Sequence, residues 1–242
     1  MNIAAQLGHL LFRTRNIVFP IILLLVLATF PPVALMADSQ TVLTLGLGLA
    51  VLLAGQGLRV LTIGLDYIRR GGKNGRIYAD RLVTGGLFGC CRNPMYTGNV
   101  LMILGFLILS ANWKAMVVGA LLGWLIYRSI IASEEQFLHQ TFGSSYADYC
   151  ANVPRWLPAY GATRQALSQY RFDWPSVVIR EYGTLFTTVL IALALIASRA
   201  WRAGVLSSFL PALACIALAT AMAYASARYL KKTRRLRPLE RS

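Results

Sequence analysis

Residues 41–68 read TVLTLGLGLAVLLAGQGLRVLTIGLDYI. The run is longer than the roughly 20 residues an α-helix needs to cross a bilayer, so the excess must tilt or project into water. Comparable apolar runs flank it on both sides. They predict further spans at Ile17–Met36, Tyr96–Ser110, Trp113–Ile131, Tyr182–Ser198 and Val205–Tyr229. Six spans make an all-α, polytopic helical membrane protein. Pro20, Pro31 and Pro32 should bend or end the first span. Ser110-Ala111-Asn112 should form a tight hairpin between the third and fourth.

Composition agrees. The 242 residues are 57% hydrophobic and 14% charged, whereas a soluble chain averages about 25% charged. The net charge of +15 could suggest nucleic acid, but the basic residues stand in short blocks between apolar runs. They fit the positive-inside rule and anionic headgroups instead. One side receives Arg13, Arg15, Arg69, Arg70, Lys73, Arg76, Arg81, Arg92, Arg155, Arg164, Arg171, Arg180 and the tail from Lys231 to Arg241. The other side receives Lys114, Arg199 and Arg202. Both termini are therefore expected in the cytoplasm of a bacterial inner-membrane protein, with no nucleic-acid partner. Leu35 stands at −3 of a signal-peptidase site ending at Ala37, where a small residue is needed, so the first span is read as uncleaved. Cys90, Cys91, Cys150 and Cys215, with His9 and His139, lack metal-ligand spacing, and no metal is expected.

Enough polar residues to build a site occur only in two predicted cytoplasmic segments, roughly 69–95 and 132–181. The first contains Leu82-Val83-Thr84-Gly85-Gly86-Leu87-Phe88-Gly89-Cys90-Cys91-Arg92-Asn93-Pro94-Met95-Tyr96-Thr97-Gly98. Its glycines allow close approach to backbone. Asn93 and Pro94 suit the cap and first position of a helix. The second begins as the fourth span leaves the bilayer at Glu134 and Glu135. It should run as a helix to Thr141, stop at Gly143, and resume through Tyr146 and Tyr149 before Val153-Pro154-Arg155-Trp156-Leu157-Pro158. Taken singly, each segment also reads as an ordinary interfacial loop or helix exit.

Together the two segments resemble the integral-membrane methyltransferase superfamily of isoprenylcysteine carboxyl methyltransferases and phospholipid N-methyltransferases. Gly86, Phe88 and Arg92-Asn93-Pro94-Met95-Tyr96-Thr97-Gly98 match the first family motif. Glu134-Glu135, Leu138, Phe142-Gly143, Tyr146, Tyr149 and Val153-Pro154 through Leu157-Pro158 match the second. The resemblance covers about residues 80–158. It divides the chain into N-terminal helices at 1–68, a methyltransferase core at 69–160, and a C-terminal helix pair with a basic tail at 161–242.

The resemblance implies S-adenosylmethionine in a cytoplasmic cofactor pocket. Leu82, Val83, Phe88, Arg92, Asn93, Pro94, Met95, Tyr96, Glu134 and Glu135 would bind it, and a lipidic or hydrophobic small-molecule acceptor would arrive from the bilayer. No dinucleotide-type glycine fingerprint is present. Three positions depart from the isoprenylcysteine pattern. Asn93 replaces His and Phe88 replaces Tyr, which makes prenylcysteine a less expected acceptor and leaves a lipid amine or a carboxylate such as prenylcysteine open. The Arg expected four residues before Glu134 is Ile130, which leaves Arg128 as the nearest candidate. Glu134, Arg128 and Arg59 are the candidate catalytic residues. Arg59 is an intramembrane cation about 15 Å from the end of its span, with a buried polar role and snorkelling both open. A small-thiol methyltransferase, or a non-enzymatic transport or assembly protein on the same scaffold, are the alternatives.

Overall fold

The computed structural model describes residues 3–65, 79, 81–156 and 171–237. Side chains of 3–9 and 16 are outside that description, as are Leu157, Pro158, the end of the second expected span and the basic residues 69–76 and Arg164. The described chain is all-α: α1 (Ile3–Thr29), α2 (Ser39–Leu65), a 3-10 turn (Gly86–Gly89), α3 (Pro94–Leu109), α4 (Trp113–Asn152), α5 (Trp174–Arg202) and α6 (Leu206–Lys232). Four of these, α2, α4, α5 and α6, are long and apolar enough to cross a membrane. The apolar part of α1 (Ile17–Thr29) and α3 are shorter apolar helices.

Local chemistry sets the ends. Asp38 Oδ1 accepts from Thr41 N at 2.7 Å before α2. Pro94 occupies the first turn of α3, where its missing N–H costs nothing. Asn112 Oδ1 accepts from Lys114 N and Ala115 N to start α4. Asp173 accepts from Ser176 N at 3.0 Å to start α5. Gly143 breaks α4 with φ 52° and ψ −124°, as the sequence predicts.

The first span differs from expectation. Its helix begins at Ile3 and ends at Thr29, Phe30 N still donates to Val26 O at 2.8 Å, and residues 31–38 then continue outside any helix. Pro31 and Pro32 remove two backbone donors and disfavour helix in the residue before them. The freed backbone groups are satisfied across the end of the bundle. Val33 N donates to Ser110 O at 2.9 Å and Leu35 N to Arg199 O at 3.1 Å. Arg199 Nε donates to Val33 O, its Nη1 to Leu109 O, and Arg202 Nε to Pro32 O, each at 2.9 Å. Two of the three basic residues expected at this end thus hold the loop.

α2 and α3 pack with their backbones almost touching. A Cβ on Gly55 would lie 2.7 Å from Gly98 O, and one on Gly98 would lie 2.9 Å from Gly55 O. Gly48 and Gly105, seven residues away on each helix, make the same kind of approach. Leu52, Met102, Phe106 and Leu109 join Ala192 and Leu195 of α5 in the central core. α1 lies on α4, where Phe19 stacks on Tyr127 at 4.7 Å. α6 has no buried residue among those described and rests on α5 through Tyr224 against Tyr182 and Phe186.

Candidate functional site

The two motif segments meet. Arg92 N donates to Pro154 O at 2.8 Å. Asn93 Nδ2 donates to Arg155 O at 3.1 Å, and Thr97 Oγ1 to Trp156 O at 3.0 Å. The buried Tyr149 hydroxyl donates to Phe88 O at 2.6 Å. Glu135 ties the seam with charge, pairing with Arg92 Nη1 at 3.4 Å and accepting both Nε (3.0 Å) and Nη2 from Arg155. Asn93 therefore does not cap α3 through its side chain, as its position suggests. It stands at the cap position with no side-chain capping bond, because its amide binds the Val153–Trp156 turn instead.

Against this seam lies a cavity of about 740 Å³, walled by α1, α2, α3, α4 and α5. That volume falls within the range of small-molecule sites, roughly 300–1,000 Å³. One end carries Phe88, Arg92, Asn93, Met95, Tyr96 and Glu134; the Glu134 carboxylate acts on the Tyr96 phenol as a charge and as a hydrogen-bond partner. Beside Tyr96, whose ring lies 5.6 Å from that of Tyr127, the lining continues through Arg59, Asn99, Tyr127, Thr184 and Thr187. Phe19, Pro20, Ile103 and Phe106 are shared with a narrower, wholly apolar cavity that continues between α1, α3 and α4. Along α3, Tyr96, Asn99, Ile103 and Phe106 repeat at helical spacing and mark the axis from the polar end to the apolar one.

Six of the expected binding residues (Phe88, Arg92, Asn93, Met95, Tyr96 and Glu134) line one cavity. The others do not. Val83 packs behind Phe88, Leu82 packs on the Leu138–Tyr146–Tyr149 cluster, Pro94 is buried at the start of α3, and Glu135 serves the seam. Arg59 lines the cavity, but Arg128 does not. Arg128 is exposed on the outer face of α4, over the Trp124 ring at 5.3 Å. Helical periodicity explains this, since Tyr127 and Glu134 are seven residues apart on the inner face and Arg128 points away from it.

Sequence reasoning missed Glu181. It precedes the fifth expected span and is buried at 3% exposure. Its Oε1 accepts from Arg59 Nε at 2.6 Å and from Gln56 Nε2 at 2.8 Å, and its Oε2 from Arg59 Nη2 at 2.9 Å. A lone carboxylate at the edge of one apolar run, with a lone arginine inside another, was the available signal.

Burial shifts the titrating groups of the seam. It pushes the Cys91 thiol up from 9.0 to about 11. The Tyr146 phenol is also raised, by burial first and then by a hydrogen bond to Cys150 and the charge of Glu135. Burial opposes the charge on Arg92, but Cys150 and Glu135 outweigh it and raise its pKa. Arg92 Nη1 lies 3.0 Å from Cys150 Sγ, while its Nε is buried with no partner. Among the described residues, no group of three or more His, Cys, Asp or Glu could hold a metal ion.

Residues 43–145 match the phospholipid methyltransferase family. Protein-S-isoprenylcysteine O-methyltransferase B of Arabidopsis thaliana is 29% identical over 114 residues, 46% of this chain and 57% of the relative. The isoprenylcysteine O-methyltransferase of Mus musculus is 38% identical over 77 residues, 32% of this chain and 27% of the relative. A cobalt-zinc-cadmium resistance protein of Cupriavidus metallidurans is 35% identical over 77 residues, 32% of this chain and 35% of the relative. The aligned part thus spans from about a quarter to just over half of these curated relatives. No solved structure matches the chain. The protein is an integral membrane protein whose residues 43–145 are similar to the phospholipid methyltransferase family.

Proposed function

We propose that this protein is a member of the integral-membrane methyltransferase family and transfers a methyl group from S-adenosylmethionine to a hydrophobic, membrane-resident acceptor. The observation that carries the reading is the meeting of Tyr96 and Glu134, from two motifs distant in sequence, across one cavity. The residues fit the donor. Glu134 offers a carboxylate to its ammonium or hydroxyls. Arg92 brings a buried, unpartnered Nε to the same wall, suited to an acceptor oxygen. Phe88 and Met95 supply apolar surface.

When bound, S-adenosylmethionine supplies an activated methyl: its S–CH3 bond breaks with the pair left on sulfur, while a nucleophile's lone pair forms the new bond. The protein's part is alignment and exclusion of water. The stitched seam fixes Phe88, Arg92 and Asn93 on one side, and α4 fixes Glu134 on the other. The apolar end between α1, α3 and α4 receives the acceptor's hydrophobic body. The relatives' names point to a prenylated cysteine carboxylate, whereas Asn93 and Phe88 in place of His and Tyr favour a lipid amine. An amine would have to arrive unprotonated; a carboxylate or thiolate would need no base. We read the cavity end at Arg92, with both termini, as cytoplasmic, in keeping with the excess of basic residues there, and all six helices as crossing the bilayer.

Calorimetry with S-adenosylhomocysteine in detergent tests the reading. Wild-type protein should bind, Glu134→Ala should lose at least tenfold in affinity, and Arg128→Ala should bind as wild type does. No binding by the wild type, or a Glu134→Ala curve that overlays it, rejects the proposal.

A further inference from the structure

We propose that Glu181, on α5 and beyond the family-matching residues 43–145, is a positioning residue that sets Arg59 and, through it, the polar wall at the acceptor end of the cavity. The proposal rests on the methyltransferase reading of the same cavity.

Arg59 stands in an apolar run, where a lone guanidinium is costly to bury. Glu181 removes that cost with two parallel bonds, Nε to Oε1 at 2.6 Å and Nη2 to Oε2 at 2.9 Å, a fork-to-fork arrangement that fixes orientation as well as charge. Gln56 locks the carboxylate from behind with a third bond at 2.8 Å. With both forks engaged, Nη1 is left to donate to Asn99 Oδ1, and the Asn99 side chain in turn acts on the Tyr127 phenol. Nη2 also approaches Thr184 Oγ1 at 3.4 Å. Arg59, Asn99, Tyr127 and Thr184 all line the cavity, on α2, α3, α4 and α5 in turn. The order runs from the buried carboxylate outward: Glu181 holds Arg59, Arg59 orients Asn99, and Asn99 acts on Tyr127. Tyr96 stands between this chain of bonds and the donor-binding group: its ring lies 5.6 Å from that of Tyr127, and Glu134 acts on its phenol.

A purely structural ion pair between α2 and α5 would have different consequences, because buried pairs can often be replaced by apolar residues without loss of stability. The experiment compares wild type, Glu181→Gln, and the double variant Arg59→Met with Glu181→Leu. Readouts are melting temperature in detergent, affinity for S-adenosylhomocysteine, and transfer of tritiated methyl from S-adenosylmethionine into a total lipid extract of the expression host. In Glu181→Gln, donor affinity should stay within threefold of wild type while the apparent KM for the extract rises at least tenfold. The double variant should recover the melting temperature but not the transfer. A double variant that transfers like wild type, or a Glu181→Gln protein changed only in melting temperature, overturns the proposal. Wild-type protein that binds the donor product yet labels nothing in the extract also overturns it, by removing the lipid acceptor from this end. Failure of wild type to bind S-adenosylhomocysteine at all is a separate result. It rejects the methyltransferase reading itself, and the positioning role with it.

Discussion

At the level of single residues, the seam between the two motifs is built from buried groups whose protonation is part of the fold. Cys91 is fully buried, one residue from the Arg92–Pro154 bond, and its thiol titrates near 11 instead of 9.0 because burial disfavours the thiolate. A folded-state pKa raised above the unfolded one contributes stability that is complete below the unfolded value and is lost as pH rises through the folded one. From below pH 9 to above pH 11 the protein should therefore lose on the order of 3 kcal/mol through this group, since each tenfold difference in proton affinity between the two states is worth about 1.4 kcal/mol. Melting curves in detergent from about pH 8 to about pH 11.5 should show the decline, and Cys91→Ala should flatten it. A Cys91→Ala slope equal to wild type would place the effect elsewhere, for instance on Tyr146. Arg128 makes the complementary point. Its charge looked useful in the sequence, but one step around α4 from the inner face put it outside the cavity.

At the level of helices, the pairing of α2 with α3 governs where the cavity wall stands. Gly55 and Gly98 face each other with backbone in direct contact, and one turn beyond Gly55 comes Arg59, whose Cγ would lie 2.7 Å from a Cβ on Gly98. Adding side chain here must push the helices apart, at the upper end of or beyond the roughly 1–3 kcal/mol of overpacking. Gly55→Val is expected to lower the melting temperature strongly and to weaken S-adenosylhomocysteine binding. Gly57→Ala is the control. Nothing lies within 4 Å of its added Cβ, and removing a glycine from a helix interior should stabilise by roughly 0.5–1 kcal/mol. Equal melting temperatures for Gly55→Val and wild type would contradict the close contact.

On the scale of the whole molecule, the two C-terminal helices have separate duties. α5 contributes Gly183, Thr184 and Thr187 to the cavity, Glu181 to the support of Arg59, and Ala192 and Leu195 to the core. α6 buries nothing among the described residues and lines no part of the cavity. A chain ending after Gly204 should bind S-adenosylhomocysteine within twofold of the full chain. One ending at Asp173 should lose both binding and a cooperative melt. Loss of binding in the longer truncation would show that α6 supports the cavity through α5. At the opposite end of the bundle, Arg199 holds Val33 and Leu109 by their carbonyls at 1% exposure, so a residue counted for orientation also closes the loop left by Pro31 and Pro32.

The helical class, the break at Gly143, the turn at 110–112 and the existence of two motif segments were all legible in the chain, because each rests on local composition: apolar length, a glycine able to adopt positive φ, a capping asparagine, and ordered spacing. Six of the ten expected binding residues face one cavity for the same reason, since each motif fixes its own side chains locally. What sequence could not supply was the partner of each charge. Arg59 and Glu181 are 122 positions apart, and no local pattern ties one apolar run to another. Nor could composition tell that Asn93 would leave its cap to bind Arg155, or that Arg128 would face outward. Those outcomes depend on which helices touch and at what rotation, and packing alone, with its glycine contacts and buried ion pair, decides that.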